Sequence, residues 1–199
     1  RSNAEIIREY GPFQGVDSVA GVTYDGQNVW FASGDKLTAF DPATGKPTRS
    51  IDVAAHAGTA FDGQYLYQIA EDRIHKIDPK SGRVLGSIPA PGGGGDSGLA
   101  WAEGSLWVGH YRDRKIYQID PETGKTVWSH PLYQGSLTNG VLATGGNVVF
   151  VSSRDGNILA LHAVMQRGRF RQALHLDGPF DDLAVAFELQ ALVRARHRH

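Results

Sequence analysis

Asp41-Pro42-Ala43-Thr44-Gly45 returns as Asp78-Pro79-Lys80-Ser81-Gly82 and again as Asp120-Pro121-Glu122-Thr123-Gly124, each time at the tail of a unit of about 40 residues. Every position of the pentapeptide has a turn role. Proline presets φ, the aspartate side chain accepts backbone N–H bonds ahead of it, and glycine takes the left-handed conformation. Carboxylates in three equivalent copies would build one site poorly, so these aspartates read as structural. A unit of four short strands cannot bury both faces alone and is stable only when copies stack. The sequence therefore predicts an all-β fold, a β-propeller of about four recognisable four-stranded blades in a partial or small ring.

The rest of the unit agrees. A glycine opens each copy, at Gly21, Gly58, Gly98 and Gly140, with spacings of 37, 40 and 42 residues. An alternating strand follows (Val22 to Tyr24, Thr59 to Phe61, Leu99 to Trp101, Val141 to Ala143), then a predicted two-residue turn at Asp25-Gly26, Asp62-Gly63, Glu103-Gly104 and Gly145-Gly146. The second strand carries an aromatic at one register, Trp30, Tyr67, Trp107 and Phe150, which predicts blade-on-blade packing. A third strand (Leu37 to Phe40, Ile74 to Ile77, Ile116 to Ile119, Ile158 to Leu161) alternates with period two, and an outer strand such as Val84 to Ile88 comes after the Asp-Pro turn.

The repeats occupy residues 5–180, as blades of about 21–57, 58–97, 98–139 and 140–176. Glu5 to Tyr10 reads as an outer strand donated from the other terminus to close the ring. Copy four loses the motif after Leu161, where His162-Ala163 replaces Asp-Pro. Residues 181–199 read as a C-terminal helix, with Asp181 or Asp182 as N-cap, or as a partial blade, ending in a basic tail. Closed single-chain rings typically hold four to eight blades, so a small ring and an arc of a larger one both stay open. An arc would expose a blade edge and self-associate.

With 199 residues, 41% apolar composition and a net charge of -1, the chain suits one globular domain with no electrostatic pull toward nucleic acid or an anionic membrane. There is no cysteine, which excludes disulfides and thiolate metal sites. No apolar run approaches the roughly 18 residues of a spanning helix, and Arg1-Ser2-Asn3-Ala4 lacks the apolar core of a signal peptide.

Propeller strand order puts the blade-joining loops and the loops between second and third strands on one face. That face collects Asp17, Ser18, His56, Asp96, Ser97, Thr138 and Asn139 at the channel mouth, with Asp35, Glu71, His110, Arg112, Asp113, Ser153 and Arg154 further out. His56, Asp96 and Thr138 hold equivalent positions two residues before the opening glycine. Imidazole, carboxylate and hydroxyl there could bind a polar ligand or a divalent cation (magnesium or calcium), or could serve as acid and base, with His56 and Asp96 as the catalytic candidates. Alternatively they are solvated caps of strand ends. The predicted ligand-binding set is Asp17, His56, Asp96, Thr138, Asn139, His110 and Arg112. Gly92-Gly93-Gly94-Gly95 precedes a strand and lacks a P-loop lysine, so it reads as a flexible blade-joining loop. His110-Tyr111-Arg112-Asp113-Arg114 reads as a charged hairpin tip with an exposed Tyr and Arg of the interface type. His75 and His130 fall on strands as packing residues, and His197 and His199 lie in the basic tail.

Residues 21–125, with Asp25-Gly26, Asp62-Gly63, Leu106-Trp107 and the Ile-x-x-Ile-Asp-Pro-x-Thr-Gly-Lys-Val pattern, resemble the virginiamycin B lyase and glutaminyl cyclase-like propellers and YVTN and WD40-like repeats. Residues 126–163, with Gly140 to Phe150 and Asp155 to Leu161, are similar to a blade of the quinoprotein (PQQ-dependent) dehydrogenases. The resemblance implies a periplasmic or extracellular protein. PQQ is not expected as a cofactor, because those quinoproteins use a cysteine pair and twice as many blades. The histidine, glutamate and magnesium of the lyases map onto no residue here. Three functions follow: a non-catalytic binding or scaffold module that takes a protein or small polar ligand on its channel face; an extracytoplasmic metal-dependent enzyme of the lyase or glutaminyl cyclase type; or a PQQ-like repeat fragment without activity, with a family seam near residue 126.

Overall fold

The computed structural model describes residues 6–132, 138–144, 148–153, 158–162 and 173–176. Four antiparallel sheets, each a four-stranded meander, follow one another along the chain. Blade one holds β1 (Gly21–Tyr24), β2 (Val29–Ser33), β3 (Lys36–Phe40) and β4 (Pro47–Asp52). Blade two holds β5 (Thr59–Phe61), β6 (Leu66–Ala70), β7 (Arg73–Ile77) and β8 (Val84–Pro89). Blade three holds β9 (Asp96–Ala102), β10 (Ser105–His110), β11 (Lys115–Ile119) and β12 (Thr126–Pro131). Blade four holds β13 (Thr138–Ala143), β14 (Val148–Ser153), β15 (Ile158–His162) and β16 (Ala173–Leu176). This is a four-bladed propeller arrangement. The inner strands β1, β5, β9 and β13 stand side by side in that order, and among the described residues β13 and β1 make no comparable approach.

Three junctions form the core, each by the same rule. Trp30, Ala32, Leu37 and Ala39 of blade one pack on Leu66, Ile77 and Phe61 of blade two. Tyr67, Ile69 and Ile74 pack on Leu99, Leu106, Val108 and Ile119 of blade three, where the Tyr67 and Trp101 rings stack at 5.7 Å. Trp107 and Ile116 pack on Val149, Val151 and Leu161 of blade four. The aromatic of each second strand thus faces the following blade, as its register predicts. Alternation turns Phe150, opposite Leu142 on β13, away from blade three.

The opening glycines explain themselves at these junctions. A Cβ on Gly21 would sit 2.6 Å from Ala57 O, and one on Gly98 would sit 2.6 Å from Val141 N. On Gly58 it would collide with Leu99 N. Adjacent inner strands meet backbone to backbone there, and Gly58 N–H donates to Ser97 O at 2.9 Å across the blades.

The Asp-Pro turns form as read. Asp41 Oδ1 accepts Ala43 N–H (2.8 Å), Asp41 Oδ2 accepts the Thr44 hydroxyl (2.9 Å), and Gly45 N–H donates to Asp41 O (2.7 Å) with Gly45 at φ 71°. Asp78 and Asp120 repeat the arrangement with Lys80 and Ser81, and with Glu122 and Thr123. These bonds to the charged form hold all three carboxyls below the usual carboxylate range.

Three readings are corrected. Asp25-Gly26 and Asp62-Gly63 do not form two-residue turns: the loops run from residue 25 to 28 and from 62 to 65, because each Asp Oδ1 accepts two successive N–H groups, Gln27 and Asn28 or Gln64 and Tyr65. Glu103-Gly104 is a two-residue turn, with both φ values positive. The Ile6 to Tyr10 stretch is not a strand. Together with Phe13 it caps the leading face of blade one through side chains: Tyr10 lies 4.8 Å from the Phe40 ring, Phe13 lies 4.7 Å from Phe31, and Arg8 Nη1 and the Tyr10 hydroxyl both donate to Pro42 O. Copy four has its outer strand, β16, although no Asp-Pro turn announces it. Gly145-Gly146 and residues 181–199 lie outside the described residues.

Candidate functional site at the channel face

Backbone hydrogen bonds tie the blade-joining loops to the loops between second and third strands. Val53 N–H donates to Asp35 O (3.0 Å), Ala90 N–H to Asp72 O (2.8 Å), Tyr111 N–H to Gly95 O (3.1 Å) and Leu132 N–H to Arg114 O (2.7 Å). One face therefore carries both loop sets.

Within it, the junction of blades two and three holds a buried polar group. Asp96 opens β9 opposite His110, with Ser97 in a β-bulge. Its side chain is buried at 8% exposure, and among the described residues neither carboxylate oxygen accepts a hydrogen bond. Burial, with the charge of Asp113 second, pushes Asp96 up to about 7. A buried polar atom with no partner is uncommon and costly.

His110 is buried as well, rather than standing at an exposed hairpin tip. Asp113 N–H donates to His110 Nδ1 at 3.0 Å, which requires that nitrogen to be unprotonated. The ring proton then sits on Nε2 and points at Gly94 O, 3.0 Å away. The Tyr117 hydroxyl donates to Asp113 Oδ2 at 3.2 Å, and its ring meets His110 edge-on. Burial and the neighbouring Asp113 push the Tyr117 phenol up.

The tetraglycine forms the cover. After a short 3₁₀ turn over Pro91–Gly93, all four glycines from Gly92 to Gly95 hold positive φ, and a Cβ on Gly92 would strike the His110 ring. Four glycines are needed for a defined path, not only for a loose one. Arg112 is exposed, with its stem beside Gly95.

The other predicted residues do not join this group. His56 is exposed and lies 3.9 Å from Asp35 Oδ1; no hydrogen bond or salt bridge among the described residues links it to Asp96. Asp17 is exposed. Thr138 begins β13 opposite Ser153, with Asn139 at a bulge that repeats the Asp96 and Ser97 backbone. Arg154, His197 and His199 lie outside the described residues, among which no cluster of three His, Asp or Glu is placed to hold a metal ion. His75 Nδ1 is 2.6 Å from Ser87 Oγ, His130 stacks on Trp128, and burial lowers both. The sequence reading missed Tyr117, whose only signal is its place four residues after Asp113. It also missed Gln68, which is satisfied by Thr59, Ala57 and Ile69 and makes the unpaired Asp96 stand out.

Fold and repeat define the class: a β-propeller repeat protein with a polar channel face. The PQQ_2 family model, described as outer membrane protein assembly factor BamB, matches residues 70–165 and, overlapping, 112–183, together more than half of the chain, and the chain belongs to this family. The first match runs across residue 126, so one model describes both sides of the change in motif. No curated protein matches the chain. Among solved structures, glutaminyl cyclase of Myxococcus xanthus superposes with a TM-score of 0.65 at 17% identity, covering 79% of this chain and 71% of that one. The WD40 repeats of RRP9 give 0.60 at 16%, covering 81% and 51%. U3-55K gives 0.57 at 16%, covering 73% and 49%, so the chain spans about half of that protein. At such identities the likeness is one of fold.

Proposed function

We propose that this protein is a non-catalytic propeller module that binds or scaffolds through its channel face, with Asp96 as the anchor for a cationic or N–H-rich group such as a lysine side chain or a free amine. The carrying observation is the buried Asp96 carboxylate without a hydrogen-bond donor, set beside the second carboxylate of Asp113. Two acids and a neutral imidazole favour a cation over an anion. Membership in a family described as an outer membrane protein assembly factor supports a scaffold role and a location outside the cytoplasm. A lyase or glutaminyl cyclase-like enzyme would need His56 and Asp96 to act together, and no hydrogen bond or salt bridge joins them.

Thermal shift and calorimetry with n-butylammonium and a lysine-rich peptide test the reading. Wild type is expected to be stabilised and Asp96→Asn to lose the gain. Equal responses in both would discard the anchor, and ammonia release from a glutaminyl peptide by wild type but not by His56→Ala would restore the enzyme.

A further inference from the structure

Asp96 sits where no group around it supplies a compensating charge. It is buried, and among the described residues neither carboxylate oxygen has a hydrogen-bond donor. Opposite it on β10, His110 has spent both ring nitrogens, Nδ1 on Asp113 N–H and Nε2 on Gly94 O. On β11 the Tyr117 hydroxyl is given to Asp113. In the loop between them Arg112 and Arg114 are exposed, Arg112 with its stem along Gly95. From blade two, Glu71 and Asp72 are exposed acids, Arg73 donates to Ser87 O, and the Tyr67 ring stacks on Trp101. The blade-joining loop ahead of Asp96 brings four glycines, and β13 brings Thr138 and Asn139, none of them titratable. The charge that does act on Asp96 is that of Asp113, which repels a second negative charge.

An uncompensated carboxylate is costly in such a place. The junction therefore has two inexpensive states, both neutral: Asp96 protonated with nothing bound, and Asp96 ionised against a bound ammonium. We propose that these two states exchange, so that the junction of blades two and three takes up its cation by giving the Asp96 proton to solvent, holds the cation in neutral and alkaline medium and releases it in acid. This rests on Asp96 being the anchor argued above and adds how that anchor is regulated. In the step the Asp96 O–H bond breaks, its proton leaves to water, and N–H groups of the ammonium donate to the freed carboxylate. The buried group and its ligand carry no net charge before or after. Burial places the changeover near neutrality, because with the Asp113 charge it pushes Asp96 up to about 7. A solvated aspartate, near 3.9, would be ionised throughout this range and would hold a cation without regard to pH.

Calorimetry on the full chain with n-butylammonium, which keeps its charge from pH 5 to pH 8, reads the exchange. Repeating each titration in buffers of different ionisation enthalpy counts the protons released. About 0.9 proton per ligand is expected at pH 6 and about 0.1 at pH 8, with affinity falling about a hundredfold from pH 8 to pH 5. The Asp96 carboxyl carbon, assigned in carbon-13 spectra by its loss in Asp96→Asn, should titrate near pH 7 in the free protein. With n-butylammonium in excess it should stay at its ionised shift to a lower pH. Equal affinity at pH 5 and pH 8 with no proton released would overturn the exchange and leave the anchor standing. A free carboxyl that titrates near 4 would do the same. No binding at pH 8, with Asp96 still titrating near 7, would remove the anchor and the exchange with it.

Discussion

Asp96 couples the channel face to pH. Its folded value of about 7 exceeds the unfolded one near 3.9, so the native state binds more protons between them. Its contribution is neutral below about pH 4, turns unfavourable as pH rises, and reaches its full penalty above about 7, on the order of 4 kcal/mol at most. Urea unfolding at pH 5 and pH 8 should show Asp96→Asn more stable than wild type at pH 8 and nearly equal at pH 5. A constant difference would mean that water reaches the carboxylate. The position of Asp96 was legible from its distance to the opening glycine. Its burial was not, because that depends on four consecutive positive-φ residues folding over His110, which in sequence read as a loose connector. A residue's place in a repeat is local information, whereas its solvation is set by a neighbouring blade.

At the scale of the element, the turns were the most legible part of the molecule, since all their bonds run within six residues. The Asp-Gly loops were legible in place but not in length, because an aspartate that takes two N–H groups draws two more residues into the loop. The terminal cap escaped because Ile6, Ile7 and Tyr10 are residue types that favour strands, while the rings of Tyr10 and Phe13 find partners on Phe40 and Phe31. The turns also set the acid limit of stability. Thr123 holds Asp120 below the unfolded value, first through its hydroxyl and then through its N–H. That stabilisation is complete above about pH 4 and is lost as pH falls toward the folded value. Asp25, which hydrogen bonds from Asn28, Trp30 and Gln27 lower against its burial, behaves alike, as do Asp41 and Asp78. Melting curves from pH 5 to pH 2.5 should fall steeply, and Asp120→Asn should flatten the fall by about a quarter. An unchanged slope would show that the turn bonds do not persist in solution.

For the whole molecule, stability is a sum over blades and junctions, so a defect at one junction should uncouple the arc rather than only weaken it. Gly58 and Gly63 separate these effects within one blade. Gly63 has φ near 100° with nothing within 4 Å of an added Cβ, so Gly63→Ala strains the backbone alone, by about 1–2 kcal/mol. Gly58 lies against Leu99 N and Gly98 C, and its N–H bridges to Ser97 O. Gly58→Ala must push β5 from β9 and open the contact between Tyr67 and Trp101, at a cost of about 3 kcal/mol. Denaturant unfolding followed by tryptophan fluorescence and by circular dichroism should stay coincident for Gly63→Ala. For Gly58→Ala the two probes should separate, since Trp30 belongs to the first two blades and Trp101, Trp107 and Trp128 to the third. Coincident transitions and equal costs in both variants would mean that the backbone approach does not join the blades. The recurring glycine would then serve strand entry within each blade.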